Sequence, residues 1–311
     1  MLAEFHAESF EELFQGVKKI PLERYIGKYD AFPVKSGHAL NSTLHSIPDC
    51  QSIIKKAAVE RLKEKYHNSW FEETGAVFPI QFSIIKDEVI IYLDTTGTGL
   101  HKRGYRRNSN DAPIKETLAA GIIDLARVRG DSIVCDPFCG SGTLLIESAY
   151  KALSVAPGLK RKFLAEKWDC IPSSFWKDAR NDAISLVRHD TAFKAYGFDI
   201  DENAVTLTND NANKAGISKR ISATKADIKN YKNQKGTITI CNPPYGERML
   251  DIKEAEKLYQ VMGQVFEGSK DAPCYIISPH EDFEKFFGRK ADKRRKLYNG
   301  MLKCQLFMYY K

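Results

Sequence analysis

The chain has 311 residues, of which 43% are hydrophobic and 28% are charged, and its formal net charge is +7 at pH 7. This is enough apolar material for two ordinary domains. No apolar run approaches the roughly 18 to 20 residues of a membrane helix, and no secretory leader pattern opens the chain. We therefore expect a cytoplasmic protein, and the excess of positive charge favours an anionic partner.

The seven cysteines form no C-x-x-C pair, and their number is odd. Neither a disulfide framework nor a structural zinc site is supported by this pattern. We predict reduced, mostly buried thiols and no metal site.

The first 106 residues predict a small α+β domain. Ser9 and Glu12 fit a capping box that starts a helix, and QSIIKKAAVERLKEKYH carries the apolar stripe of a second helix. The runs VFPIQFSII and VIIYLD, separated by a polar triplet, predict a β-hairpin. The polar stretch RRNSND, residues 106–111, is the best linker candidate, so we place the domain boundary between residues 106 and 107.

Helices and strands alternate from residue 107 onward. The helix TLAAGIIDLARV, the strand SIVCD and the helix TLLIESAYKAL come first, and the strands KAYGFDI, ISATKA, GTITI and CYIIS follow with helices between them. This alternation predicts a Rossmann-like α/β domain with a doubly wound, mostly parallel sheet. Ligands bind such sheets at the carboxyl ends of the strands.

A glycine-rich turn, DPFCGSGT, leaves the first of these strands at residues 136–143. Glycines let a ligand approach the backbone and leave helix N-terminal amides free to bind it. Leu145 stands where the dinucleotide fingerprint requires a third small residue, which argues against NAD, and the absence of G-K-[ST] excludes a P-loop. Asp136 either pairs with a cationic ligand group or merely caps the turn.

Two further acids end strands. Asp199, in GFDID, lies where a doubly wound sheet presents a carboxylate to ribose hydroxyls, whereas Asp201 is interpreted as a helix N-cap. Asp227, in KADI, can accept a hydrogen bond from an adenine amino group or be an ordinary turn residue.

The fourth strand end carries Asn242, Pro243, Pro244 and Tyr245. Two adjacent prolines give up two backbone donors and favour extended backbone before them, so this corner is stiff. A lone N-P-P is usually a surface turn. Four successive strand ends, each suited to one part of an adenosyl cofactor or its acceptor, favour a functional site instead.

The motifs DPFCGSGT, GFDID, KADI and NPPYGER resemble those of class I S-adenosylmethionine-dependent methyltransferases that act on exocyclic amino groups. The segment APIKETLAAGII resembles the part that helps hold the methionine end of the cofactor. TGTGLHKRGYR, VAPGLKRKFLAEKWD and GRKADKRRKLYNG are similar to bacterial THUMP-domain guanine-N2 methyltransferases of large-subunit ribosomal RNA. Because that family normally starts some tens of residues earlier, we expect an N-terminally incomplete THUMP-like RNA-binding domain at 1–106 and the methyltransferase domain at 107–311.

The resemblance implies S-adenosylmethionine as cofactor and a base amine as acceptor. Asn242 and the Pro243 carbonyl would accept hydrogen bonds from the amine, Pro244 would stiffen the corner, and Tyr245 would stack on an unstacked base. The residues expected to bind the cofactor are Asp136, Pro137, Phe138, Gly140, Ser141, Gly142, Thr143, Asp199, Ile200, Asp227 and Ile228, with Ile114 and Glu116 upstream.

Basic residues predict RNA contacts, although such runs are often only solvated faces. The candidates are Lys102, Arg103, Arg106, Arg248, Arg289, Lys293, Arg294 and Arg295. Ribosomal RNA is the expected substrate. The alternatives are methylation of guanine N2 in tRNA, methylation of adenine N6 or cytosine N4 in nucleic acid, and a non-enzymatic RNA-binding role in ribosome assembly.

Overall fold

The computed structural model of the chain describes residues 1–106, 114–245, 252–266 and 270–311. Two compact units are present: Met1–Gly99 with Lys162–Asp178, and Leu100–Arg161 with Ala179–Lys311. The chain therefore returns to the first unit after entering the second, which no sequence pattern indicated. The domain boundary placed between residues 106 and 107 from the sequence stays a prediction.

The first unit contains a four-stranded sheet in the order β1-β4-β3-β2. Its elements are β1 (Ala3–His6), α1 (Phe10–Lys18), β2 (Val34–Leu40), α2 (Ile47–Tyr66), β3 (Ile80–Ile85) and β4 (Glu88–Leu93). Strand β4 pairs antiparallel with β1 and β3, while β2 runs parallel to β3. The predicted hairpin is confirmed, and its turn residues Lys86 and Asp87 take positive φ angles of 53° and 66°, as a two-residue turn demands.

The predicted capping box of α1 is confirmed. The Ser9 hydroxyl accepts a hydrogen bond from the Glu12 amide at 3.3 Å, and the Glu12 carboxylate accepts one from the Ser9 amide at 3.1 Å, which completes a capping box. The returning segment brings Trp168 onto the core, where its ring stacks on Phe78 at 4.4 Å and its indole N–H donates to the Val77 carbonyl at 2.9 Å. Trp168 therefore has a structural role.

The second unit contains a seven-stranded sheet in the order β10-β11-β9-β8-β5-β6-β7. Its strands are β5 (Ile133–Asp136), β6 (Lys194–Asp199), β7 (Ile221–Lys225), β8 (Thr237–Cys241), β9 (Cys274–Ser278), β10 (Lys293–Asn299) and β11 (Leu302–Tyr309). Its helices are α3 (Glu116–Leu125), α4 (Thr143–Ala152), α6 (Glu202–Ala215), α7 (Ile252–Val265) and α8 (Phe283–Phe287), and α5 (Ser173–Ser185) begins in the first unit and ends in the second. The five strands from β9 to β7 are parallel, which confirms the predicted α/β class.

The antiparallel hairpin of β10 and β11 extends this sheet beyond β9. Sequence analysis interpreted its first strand only as a basic run. Residues 293–296 of β10 are all exposed, so the strand shows no alternation of buried and exposed side chains. Lysine and arginine on an edge strand also discourage pairing with other chains.

The core beneath the glycine turn explains one sequence feature. Leu145 of α4 is fully buried. A Cβ on Gly197 of β6 would lie only 2.8 Å from Leu145 and 3.0 Å from Cys139. Gly197 therefore makes room for the leucine that distinguishes this turn from a dinucleotide fingerprint.

Throughout the described ranges, no helix combines the length and apolarity needed to cross a membrane.

Two helical glycines give opposite stability predictions. A Cβ on Gly263 of α7 would lie 2.8 Å from the backbone carbonyl carbon of Phe287, whereas one on the exposed Gly121 of α3 would meet nothing within 4 Å. Gly263→Ala should lower the free energy of unfolding by about 1–3 kcal/mol, since backbone cannot move aside cheaply. Gly121→Ala should raise it by about 0.5–1 kcal/mol. Urea unfolding of both variants tests this pair, and a stabilised Gly263→Ala would contradict the packing of α7 on α8.

Candidate active site

A cavity of about 1010 Å³ opens in the second unit at the carboxyl ends of β5, β6, β7 and β8. All four strand ends singled out in the sequence contribute to it. The predicted site residues that line it are Ile114, Asp136, Pro137, Phe138, Gly140, Ser141, Thr143, Asp199, Ile200, Asp227, Ile228, Asn242, Pro243, Pro244 and Tyr245. Gly142 and Glu116 do not line it.

Asp136 ends β5 and is only 2% exposed. Its Oδ1 accepts a hydrogen bond from the Phe138 amide at 3.0 Å, and the residue also lines the cavity. The carboxylate therefore caps the turn and remains next to the cavity, so the two interpretations of this residue are compatible. Burial raises the pKa of Asp136 to about 8, and the nearby charge of Asp199 adds to the effect.

The glycine turn is held from the far side by α6. Thr208 donates a hydrogen bond to the Gly140 carbonyl at 3.0 Å, and the Asn211 carboxamide donates one to the Ser141 carbonyl at 3.0 Å. Gly142, the N-cap of α4, has a φ of 78°, and a Cβ there would lie 2.9 Å from Thr208. Gly142 thus serves the packing of the turn, and its expected role in cofactor binding stays a prediction.

Asp199 connects two strand ends. Its Oδ2 accepts from the Gly140 amide at 3.0 Å and its Oδ1 accepts from the Asp201 amide at 3.0 Å. Each carboxylate oxygen has a second lone pair, so the group can still accept from a ligand. Asp201 accepts from the Asn203 amide at 2.9 Å at the start of α6, which confirms it as the N-cap.

Asp227 caps the short 3₁₀ turn Ile228–Asn230 through a 2.9 Å hydrogen bond from the Lys229 amide to its Oδ1. It is partly exposed and lines the cavity. Ile200 lies in the same lining and is 67% exposed, so an apolar surface stands open to a flat ring there. Ile228, which follows Asp227 in the sequence, is partly buried and also lines the cavity.

The corner after β8 brings the whole Asn-Pro-Pro-Tyr motif to the cavity. Asn242 is half-buried, and its carboxamide makes no hydrogen bond to another described residue. Cys241, which precedes it, is fully buried in the core. The strand therefore fixes the backbone of the corner while the Asn242 side chain stays able to accept hydrogen bonds from a ligand.

Two arginines expected to bind RNA are engaged within the fold. Arg103 is 8% exposed, lies 3.3 Å from the Glu147 carboxylate and donates to the Leu100 carbonyl at 2.8 Å. Its expected RNA role is wrong, because burying Glu147 requires a compensating charge.

Arg106 is also engaged within the fold, and its expected RNA contact stays a prediction. It lies 3.6 Å from the Glu116 carboxylate, donates to the Ile114 carbonyl at 3.2 Å and contacts the Thr143 hydroxyl. Arg106 and Glu116 therefore hold two cavity residues, Ile114 and Thr143, in place. Lys102 is exposed, and Arg248 lies outside the described residues.

The remaining basic candidates border the β10–β11 hairpin. The Arg289 guanidinium lies 4.6 Å from the Tyr309 ring centre, and Arg294 lies 3.5 Å from the Glu284 carboxylate. Lys293 and Arg295 are exposed on β10. The hairpin tip reaches the cavity through three residues that sequence analysis missed, Asn299, Met301 and Leu302.

Helix α7 supplies a second wall that sequence analysis missed. Glu254, Lys257, Leu258 and Val261 line the cavity. They follow the i, i+3, i+4, i+7 spacing of one helix face. This spacing, directly after the Asn-Pro-Pro-Tyr motif, was the available signal.

Comparison with known proteins identifies the family. The family model described as an RMKL-like methyltransferase domain matches residues 103–307, and the THUMP domain model matches residues 7–94. The chain belongs to the THUMP-containing, RMKL-like methyltransferase family. The resemblance stated for the two domains is thereby confirmed.

Among the relatives of this methyltransferase, "Putative RNA methyltransferase YpsC" of Bacillus subtilis is 41% identical over 312 residues, covering 99% of this chain and 81% of the relative. "Ribosomal RNA large subunit methyltransferase K/L" of Psychromonas ingrahamii is 31% identical over 322 residues, covering 99% of this chain and 42% of the relative. The crystal structure of SMU.472, "a putative methyltransferase complexed with SAH", matches with a TM-score of 0.88 and 40% identity over 99% of this chain and 82% of that one. The chain spans less than half the length of the K/L relatives it matches.

The buried carboxyl of Asp136 predicts a pH-dependent stability. Because the pKa of Asp136 is raised to about 8 from 3.8, the folded chain binds a proton that the unfolded chain releases between these values, so stability falls as pH rises through this window. Asp136→Asn removes this contribution and can keep the hydrogen bond from Phe138. The variant should gain stability over the parent by up to about 1.4 kcal/mol per pH unit between pH 5 and 7.

Urea unfolding of the ligand-free proteins at several pH values measures this difference. Asp210→Asn, an exposed acid of α6, serves as the control and should follow the parent. A stability difference between Asp136→Asn and the parent that does not change with pH would contradict the raised pKa.

Proposed function

We propose that the chain transfers a methyl group from S-adenosylmethionine to the N2 amino group of a guanine in 23S ribosomal RNA. The observation that carries this proposal is that the Asn242–Pro243 corner shares one cavity with three strand-end carboxylates. The relatives' names support an RNA substrate, and the relative solved with SAH supports the cofactor.

The residues of the cavity fit the cofactor. Asp136 is a buried carboxyl without a cationic partner among the described residues, which suits the ammonium group of a methionine end. Asp199 would accept from the ribose hydroxyls and Asp227 from the adenine amino group, while the exposed Ile200 offers an apolar surface to the adenine ring. When bound, S-adenosylmethionine supplies an electrophilic methyl group on a sulfonium.

The acceptor amine needs activation, because its lone pair is delocalised into the base. The Asn242 Oδ1 and the Pro243 carbonyl accept hydrogen bonds from its two hydrogens, turning the lone pair away from the ring. Both oxygens also stabilise the positive charge that develops on this nitrogen. Tyr245 stacks on the extruded base, so catalysis consists mainly of positioning and electrostatics.

The RNA path follows the edge of the sheet. Strand β10 runs in the same direction as β9, so its carboxyl end and the hairpin tip lie at the edge of the cavity. The basic residues Lys293 and Arg295 lie up to about 20 Å back along the strand. An RNA backbone bound along β10 is thereby led to the acceptor side of the cavity.

Removal of the Asn242 carboxamide tests the reaction. Asn242→Ala should bind S-adenosylmethionine with a dissociation constant close to the parent's, because the side chain acts on the acceptor. Its single-turnover rate of methyl transfer to unmodified 23S ribosomal RNA should fall by about 10²-fold or more.

Calorimetric titration and radiolabelled methyl transfer give the two readouts. The matched control is Asn213→Ala, which alters an exposed asparagine of α6 and should change neither. A normal transfer rate in Asn242→Ala would overturn the assignment of the corner.

Charge removal on β10 tests the RNA path. Lys293→Gln with Arg295→Gln should weaken RNA binding and flatten the dependence of log affinity on log salt, by about 0.7–0.9 for each lost phosphate contact. The control pair, Lys219→Gln with Lys235→Gln, changes two exposed lysines just before β7 and β8, at the opposite ends of the strands. Equal salt slopes in the two double variants would exclude β10 as the RNA path.

A further inference from the structure

The Asn-Pro-Pro-Tyr corner does not by itself choose a base. Guanine, adenine and cytosine each carry an exocyclic amine that can donate two hydrogen bonds to the corner. They differ in the atoms beside the amine. Guanine presents the N1–H donor next to N2 and then the O6 acceptor, whereas adenine and cytosine present a ring-nitrogen acceptor at the equivalent place. The selecting groups must therefore face the ring nitrogen.

The proposed reaction assigns the cavity a cofactor side and an acceptor side. On that assignment, the acids after β5, β6 and β7 belong to the cofactor side, while the corner after β8, the face of α7 and the tip of the β10–β11 hairpin belong to the acceptor side, and all of them line the one cavity. On the acceptor side, the charged members among the described lining residues are Glu254 and Lys257. The remaining side chains there are apolar, aromatic, proline or asparagine.

Glu254 and Lys257 have a fixed relation to one another. They lie three residues apart in α7, so they share a helix face with an axial separation of about 4.5 Å. Both side chains are exposed and border the same cavity as Asn242. A base whose amine is held at the corner therefore shares its cavity with this face of α7.

We propose that Glu254 and Lys257 select guanine by complementing the edge of the base beside its amine. The Glu254 carboxylate accepts the N1–H hydrogen bond, and the Lys257 ammonium donates to O6. This rests on the proposed methyl transfer to guanine N2 and adds the groups that recognise the base.

The same pair rejects the other amino-bearing bases. Adenine or cytosine with its amine at the corner turns a ring-nitrogen lone pair toward Glu254, so acceptor faces acceptor. Adenine also places a C–H opposite Lys257. A site that hydrogen-bonds a substrate group discriminates strongly against an analogue that lacks it, because its own polar groups then lose their partners.

The test uses two RNA substrates that differ at one nucleotide. After the methylated position of unmodified 23S ribosomal RNA is mapped, two synthetic RNAs spanning it carry either guanine or 2,6-diaminopurine at that position. Diaminopurine keeps the N2 amine but presents an acceptor at N1 and an amine in place of O6. The parent chain should prefer guanine in kcat/KM by about 10²-fold or more.

Glu254→Gln should reduce this preference by about 10-fold or more, because a carboxamide can also donate to the N1 of diaminopurine. Lys257→Met should reduce it by a similar factor through the loss of the O6 donor. Glu256→Gln is the control, since Glu256 lies 3.7 Å from His280 and outside the cavity lining, and it should retain the parent's preference. The ratio is measured within one protein preparation, so partial misfolding does not change it.

Two results would overturn the inference, and only the second would also refute the proposed function. A guanine preference unchanged in both Glu254→Gln and Lys257→Met would refute the roles of α7 and leave the proposed reaction standing. A parent chain that methylates adenine, or no base of the ribosomal RNA, would refute the proposed function and the inference together.

Discussion

The site depends on the way Asp199 joins two ends of a parallel sheet. One of its oxygens accepts from the Gly140 amide after β5, and the other accepts from the Asp201 amide after β6. The first contact fixes the glycine turn, and the second aligns the start of α6, which in turn holds the turn through Thr208. A single carboxylate thereby fixes both segments that line this part of the cavity, and its remaining lone pairs can still accept hydrogen bonds from a ligand.

Burial divides the acids of the cavity between two tasks. Asp136 lies inside the fold, where loss of solvent raises its pKa to about 8, so its charge is favoured only when a cation arrives. Asp199 and Asp227 are partly exposed and receive backbone hydrogen bonds. The first acid suits a charged group and the other two suit neutral donors, which matches the two ends of an adenosyl amino acid.

Much of the cavity could be predicted from the sequence because the carboxyl ends of the parallel strands are recognisable in it. Each apolar run stops at an acid, a glycine turn or the Asn-Pro-Pro-Tyr corner, and parallel strands place these ends on one edge. The N-cap role of Asp201 could be predicted for the same local reason. The packing role of Gly142, in contrast, could not be predicted, because the residue that leaves no room for a Cβ at this position is Thr208 on another helix.

The remaining errors concern contacts distant in sequence. Arg103 is indistinguishable from a surface arginine until Glu147, 44 residues later, is seen to bury against it. Strand β10 is exposed along its basic run, so periodicity could not separate it from a loop. The face that α7 turns toward the cavity follows from packing of the neighbouring face, with Ala255, Tyr259 and Met262, into the core.

In the proposed reaction, the corner after β8 delivers an exocyclic amine to the methyl group of S-adenosylmethionine. The most direct test incubates the purified chain with unmodified 23S ribosomal RNA and S-adenosylmethionine bearing a trideuterated methyl group, followed by mass spectrometry of the nucleosides. We expect the deuterated methyl group in N2-methylguanosine. Label found in a ring-carbon or ribose methyl group, or in no nucleoside, would contradict it.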